Sequence, residues 1–263
     1  LAEGGFHENY NLLGKGFGDT SPYYDGESLL AMIKAAKYLG TAFVPLWPLA
    51  AGTAQRMHQR YIVEAQQNDV DSDLTKGCYQ WLSMSLFELA SVTFGSGKKD
   101  RFDLPIAIQG LYHPEKFGVW LIDLANWMIE THKVLIKRRN TGYSFEGIVH
   151  ALAWGTHVLS ASNNGNAEVS FHVLKKLHCT IHEGMAKLVS WQVGMGAEDN
   201  DENWDGISGL GGIQNAANEA PLRVDVVQHQ MHATIISRRY PFRNDRSPWP
   251  WKTALEALVK NEI

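Results

Sequence analysis

Two cysteines in 263 residues, Cys78 and Cys179, are too few and too far apart for a disulfide framework or a C-x-x-C pair. A reducing compartment is the expected setting. Asn-x-Ser/Thr acceptor sites are also missing, which suits a non-secreted chain. The first residues, LAEGGFHENY, show no basic-then-apolar leader pattern. One uncharged run, YLGTAFVPLWPLAAGTAQ (38–55), approaches the roughly 20 apolar residues of a membrane helix. Pro45 and Pro48 interrupt it, so it is read as a buried connection between two helices, and no membrane partner is expected.

Several catalytic signatures are missing. GKGFG (14–18) lacks the spacing of a dinucleotide fingerprint, and no GK[ST] phosphate loop occurs. G-x-S-x-G is absent, which removes the hydrolase nucleophile elbow. HEGMA (182–186) has Ala186 where a zincin needs its second histidine, and His7-Glu8 fails in the same way. The repeated Glu-x-x-His of ferritin-like di-iron sites does not occur. With no catalytic motif in hand, a binding or assembly role comes before an enzymatic one.

What is present is an ordinary globular composition, 44% hydrophobic and 20% charged, which excludes a disordered chain. Apolar residues recur at helical spacing, and β-branched alternation never persists long enough for a strand. Stop and cap signals predict a helix from Asp25 or Ser28 to Gly40 and a second over 52–67. A third runs from Asp71 or Ser72 to about Val92. Further helices are expected over 115–138, 145–160, 166–195, 221–239 and 251–260, with a weak one near 213–219. The fold class is therefore all-α: eight to nine helices in one large domain or two lobes. Residues 1–25 are read as an extended N-terminal arm, 26–239 as the helical core, and 240–263 as a C-terminal arm with a short helix.

Histidine is frequent, at 11 residues, and FHVLKKLHCTIHEGM (171–185) concentrates three. At 100° per residue His172 turns about 120° away from His178. His178 and His182 remain as an i,i+4 pair, assigned to the inward face with Phe171, Leu174, Met185 and Val189. That spacing lets two imidazoles share one ion, Zn or Fe, with His229 or His232 completing the set and Glu183 moving protons. The first reading of the same histidines is as hydrogen-bonded core residues, with the metal site as the alternative. The i,i+4 pairs Glu146/His150 and Glu168/His172 are read as solvated helix contacts. Asp201, Asn203 and Asp205 with Gly206 match the opening of a calcium loop, but Gly212 stands where the bidentate Glu belongs. A weak Ca²⁺ loop is the most this segment supports.

The net charge of −4 conceals a strong asymmetry. AEDNDENWD (197–205) holds five acids, and outside it 24 bases face 23 acids. KVLIKRR carries Lys133, Lys137, Arg138 and Arg139 with no acid, at what reads as a helix end. Arg238, Arg239, Arg243 and Arg246 alternate with Tyr240, Phe242, Trp249 and Trp251. Arginine interleaved with aromatics suits a single nucleic-acid strand, by phosphate charge and base stacking, and equally a protein-binding arm. Lys175 and Lys176 add two bases on other faces of the histidine helix. Irregular aromatic ends, a helical core and basic clusters form a plan similar to that of helical nucleocapsid and coat proteins of RNA viruses. That resemblance is one of general plan and not of motif. It implies a viral structural protein, in cytoplasm or virion, that assembles through its arms and binds single-stranded RNA. The alternative is a helical metalloenzyme built on His178, His182 and His229.

Overall fold

A computed structural model describes residues 5–94, 103–104, 113–161, 170–193, 211–216 and 222–239. The chain is mostly helical and divides into two compact units, Leu1–Leu124 and Ala125–Ile263. Among the described residues there are seven helices, counting the unbroken run Leu46–Asn68 as one, against eight to nine expected; the segment 251–260 lies outside the described residues.

Within residues 1–25, read from sequence as an extended arm, the described part contains a hairpin. β1 (Asn9–Tyr10) and β2 (Gly16–Phe17) pair antiparallel, Asn9 opposite Phe17 and Tyr10 opposite Gly16. The turn is held by the Asn11 side chain, which accepts from the N–H groups of Leu13 and Lys15 at 3.0 Å each. Gly14 has φ +76°, the left-handed conformation that glycine adopts at no steric cost. α1 (Pro22–Tyr38) begins earlier than expected because Pro22 presets the first helical φ behind Ser21.

A 3-10 turn, Thr41–Phe43, then leads into α2 (Leu46–Met57). The helix continues through a π-helical stretch, His58–Glu64, into α3 (Ala65–Asn68). The connection within the uncharged run is therefore short, and Pro48 is absorbed in the first turn of α2, where its missing N–H costs nothing. α4 (Asp73–Ala90) is capped by Ser72, whose hydroxyl accepts from Leu74 N–H at 3.2 Å. α1 packs on α4 and α2. Leu29, Ile33, Trp47, Tyr79, Leu82, Leu86 and Leu89 close the core.

One polar node sits inside this core. The Asp25 carboxylate is buried and accepts from Tyr61 O–H at 2.6 Å and Phe6 N–H at 2.8 Å. Burial and the bond to Asp25 push the Tyr61 phenol up to about 12. Thr75 O–H donates to the Tyr61 carbonyl at 2.7 Å, so four segments are tied through three side chains, those of Asp25, Tyr61 and Thr75. Glu88, on the far turn of α4, takes both Lys34 and Lys37 from α1. Burial alone would raise its carboxyl, but the two ammonium groups outweigh that and hold it below the usual range. β3 (Thr93–Phe94) and β4 (Asp103–Leu104) form a short parallel pair.

α5 (Pro114–Glu130) carries the boundary between the units. In the second unit α6 (Gly142–Ala161) is central, with α7 (Phe171–Val189) and α8 (Val224–Arg239) packed against it. From Ser144 to Thr156 every residue of α6 is buried, as a helix surrounded by protein requires. Around 213–216 the chain makes isolated bridges, Gln192 with Ile213 and Arg139 with Ala216, in place of the weak helix expected there.

Gly184 sets how close α7 comes to α6. A Cβ at that position would lie 1.8 Å from Cζ of Phe145, a fully buried ring on α6. Replacing Gly184 with Ala forces the helices apart or Phe145 out of its rotamer. The expected cost is about 1–3 kcal/mol, read as a lower denaturant midpoint with an unchanged m-value. Unchanged stability would show that the Phe145 contact is not tight.

Candidate nucleic-acid interface and a buried histidine–glutamate cluster

The run KVLIKRR does not end a helix. α5 stops at Glu130, where the N–H groups of Thr131 and His132 both turn back to the Trp127 carbonyl. Lys133 has φ +56°, a left-handed conformation uncommon for a residue with a side chain. A 3-10 turn, Val134–Ile136, follows, and Lys137 is extended. The four bases therefore lie along an irregular strip, and no helix dipole accounts for them.

Two lysines of α7 hold this strip. Lys176 pairs with Glu130 at 2.5 Å. Lys187 donates to the carbonyls of Leu135 at 3.1 Å, Val134 at 3.5 Å, and Lys137. The two lysines are eleven positions apart in sequence, three helical turns and about 20°, so they share one edge of α7. Burial lowers the Lys187 pKa, and its ammonium also lies 5.0 Å from the Trp191 ring centroid.

With the strip's backbone pinned, Lys133, Arg138 and Arg139 are exposed and Lys137 half-exposed. Among the described residues none of these four side chains is ion-paired. Lys187 and half-buried Trp191 were not among the sequence candidates. Their i,i+4 spacing, a base one turn before an aromatic ring, is the signal that marks them.

The other basic candidates separate. Lys175 is exposed, and Lys176 is spent on Glu130. Arg238 and Arg239 are exposed in the last turn of α8. Arg243 and Arg246 lie outside the described residues.

The histidine helix has a different phase from the one expected. Its buried stripe is Leu174, Leu177, Ile181, Gly184 and Leu188. His178 is half-buried at the border of that stripe and His182 is exposed, so neither lies on the inward face. Gly184, invisible to a hydrophobic pattern, is part of that buried stripe, and a Cβ there would overlap the Phe145 ring of α6. The two rings stand 5.0 Å apart, and burial followed by the neighbouring His182 lowers the His178 pKa. Cys179 between them is exposed, whereas Cys78 is fully buried and its thiol is pushed up by desolvation.

His229 faces another partner. Its Nδ1 and that of His232 each lie 3.3 Å from Oε1 of Glu146, a carboxylate with no exposed side-chain surface. Glu146 and His150 are both buried, contrary to the solvated pair expected, because α6 is the central helix. The His150 ring N–H donates to the Glu146 carbonyl at 2.7 Å. Burial raises the Glu146 carboxyl, but hydrogen bonds and charge from His229 and His232 prevail and keep it below its usual value.

Beside them Gln230 donates to the Leu188 carbonyl at 3.1 Å and accepts from the Asn140 amide at 3.1 Å. α8 thus fixes the end of the basic strip. Among the described residues no three His, Cys, Asp or Glu side chains form a set able to hold a metal ion. Asp201, Asn203 and Asp205 lie outside the described residues. Nor, among those residues, is any helix long and apolar enough to cross a membrane.

No protein-family model, curated protein or solved structure matches this chain.

Because its folded pKa is lowered from 4.5, Glu146 contributes stability that is present above that value and is lost as pH falls through the folded pKa. Glu146→Gln should cost about 1–3 kcal/mol at neutral pH and flatten the stability profile between about pH 5 and 3. Chemical denaturation across that range measures both; an equally steep acid loss in the variant would exclude Glu146 as its source.

Proposed function

We propose that this chain is a self-assembling, nucleocapsid- or coat-like protein that binds single-stranded nucleic acid, RNA foremost, along the 133–139 strip. The observation that carries this reading is the strip itself. Three exposed bases, Lys133, Arg138 and Arg139, stand on backbone anchored by Lys187 from α7 and Gln230 from α8, with Trp191 alongside. Anchoring reduces the ordering cost of binding. Bases with no ion pair among the described residues are available to displace counterions from phosphates, and the Trp191 indole beside Lys187 adds an aromatic surface. Arg238 and Arg239 add exposed positive charge at the end of α8. On this reading the protein works in the cytoplasm or within a virion, as many copies on one strand.

The test is the salt dependence of binding to a fluorescent oligouridylate. Each phosphate contact on a single strand contributes about −0.7 to the slope of log K against log salt. Replacing Lys133, Arg138 and Arg139 together with Gln should reduce that slope by about 2 and weaken binding across sequences alike. Purified wild-type protein should also carry excess absorbance at 260 nm before a high-salt wash. Wild-type protein that binds no strand, or a triple variant with an unchanged slope, would overturn the assignment.

A further inference from the structure

α7 carries two histidines that the proposed function does not use. His178 and His182 stand one turn apart near the middle of the helix, which Ser170 caps and which packs on α6. Their ring centres are 5.0 Å apart and their planes are inclined at 53°, so the rings are not stacked. Zinc holds an imidazole nitrogen at about 2.0–2.1 Å, and the ring centre lies about 1 Å behind that nitrogen, so two rings on one tetrahedral ion stand about 5 Å apart. The observed separation is the one a shared ion requires. The folded helix fixes this spacing in advance, which lowers the ordering cost of chelation. Each imidazole has two ring nitrogens, so one can ligate while the other keeps a hydrogen bond.

The pair is reachable from solvent. His182 is exposed and His178 half-buried, with the buried Leu174 and Ile181 on the inner side of His178. The donors decide what binds. Imidazole suits zinc, copper and nickel, whereas magnesium and calcium take oxygen ligands. Lys175 is exposed on the same flank, two turns before His182, and opposes a cation held by charge alone. An ion at this pair is therefore held by the ring lone pairs.

The donor set is smaller than the sequence suggests. His229 faces Glu146, and among the described residues no third His, Cys, Asp or Glu completes a set of three. Cys179 is exposed but lies about 100° round the helix from His178. We infer that His178 and His182 form a two-imidazole site for a divalent transition metal, zinc foremost, with water in the remaining positions. The unfolded chain does not hold the i,i+4 geometry, so the metal favours the folded state. The site is independent of the nucleic-acid reading.

Calorimetric titration of the full chain with zinc chloride should find a tight equivalent, and magnesium chloride should give no binding. His178→Gln and His182→Gln should each weaken that equivalent at least about tenfold, because each leaves a single ligand where two acted together. Cys179→Ser should leave it unchanged, and the Co²⁺-loaded chain should show no sulfur-to-cobalt charge-transfer band. Zinc should raise the denaturant midpoint of the wild-type chain and not that of either histidine variant. Far-UV circular dichroism checks folding. His182 is exposed, so His182→Gln decides the matter if His178→Gln is unfolded. A wild-type chain that binds no zinc, a His182→Gln chain that binds it as wild type does, or loss of binding in Cys179→Ser would overturn the inference.

Discussion

The approach of α7 to α6 at Gly184 governs the second unit. Two helices come that close only where one of them lacks a side chain, and Phe145 fills the space a Cβ would take. That contact fixes the rotation of α7 about its axis. With Gly184, Ile181, Leu177 and Leu188 turned inward, helical geometry puts Lys176 and Lys187 along one flank of the stripe. The opposite flank receives His178 and His182. The lysine flank meets the segment after α5 and holds its carbonyls; the histidine flank meets no third ligand among the described residues. One glycine thus turns the lysines of this helix, and not its histidines, toward the segment after α5.

The strip is held at its other end by polar burial. Glu146 enters the centre of the unit as a carboxylate, and an uncompensated buried charge would cost several kcal/mol. Two imidazoles from α8 meet it, which registers α8 against α6. Gln230, between those histidines in sequence, then reaches both the Leu188 carbonyl and Asn140. The basic residues lie between these anchors, with backbone fixed and side chains free. In the first unit Asp25 has the corresponding role. It binds the hairpin to α1 through Phe6 and to the π-helical stretch through Tyr61.

The helices themselves were legible in the sequence because burial has a period. Ser72 caps α4, one of the two caps expected there, and Leu29, Ile33 and Ala36 of α1 and Cys78, Leu82, Leu86 and Leu89 of α4 are buried at helical spacing. Failures occur where the deciding contact carries no hydrophobic signal. Gly184 reads as a weak helix residue, so the spacing of Phe171, Leu174, Met185 and Val189 puts α7 in another phase, with His178 and His182 inward. Val134, Leu135 and Ile136 continue the apolar period of α5, which hides its end at Glu130. The stop depends on a left-handed Lys133, a conformation that composition does not announce. Glu146 looked solvated because its burial comes from α8, far away in sequence.

Net charge is a poor guide to what this strip can bind. At physiological ionic strength charges farther apart than about 8 Å are largely screened from one another. A phosphate at Arg138 or Arg139 responds to its immediate neighbours and not to the sum over the chain. The acidic excess is concentrated in 197–205, whereas the strip has four bases and no acid in seven positions. In sequence the two are separate, so the formal charge of −4 does not describe the composition of the strip itself. On the proposed function, few phosphate contacts per copy would make a single chain bind a strand weakly, so occupancy would depend on neighbours. Affinity for a long strand would then rise with the number of linked copies, because each bound copy raises the effective concentration of the next. Under that proposal assembly and nucleic-acid binding are one property, and a short basic strip needs the first to achieve the second.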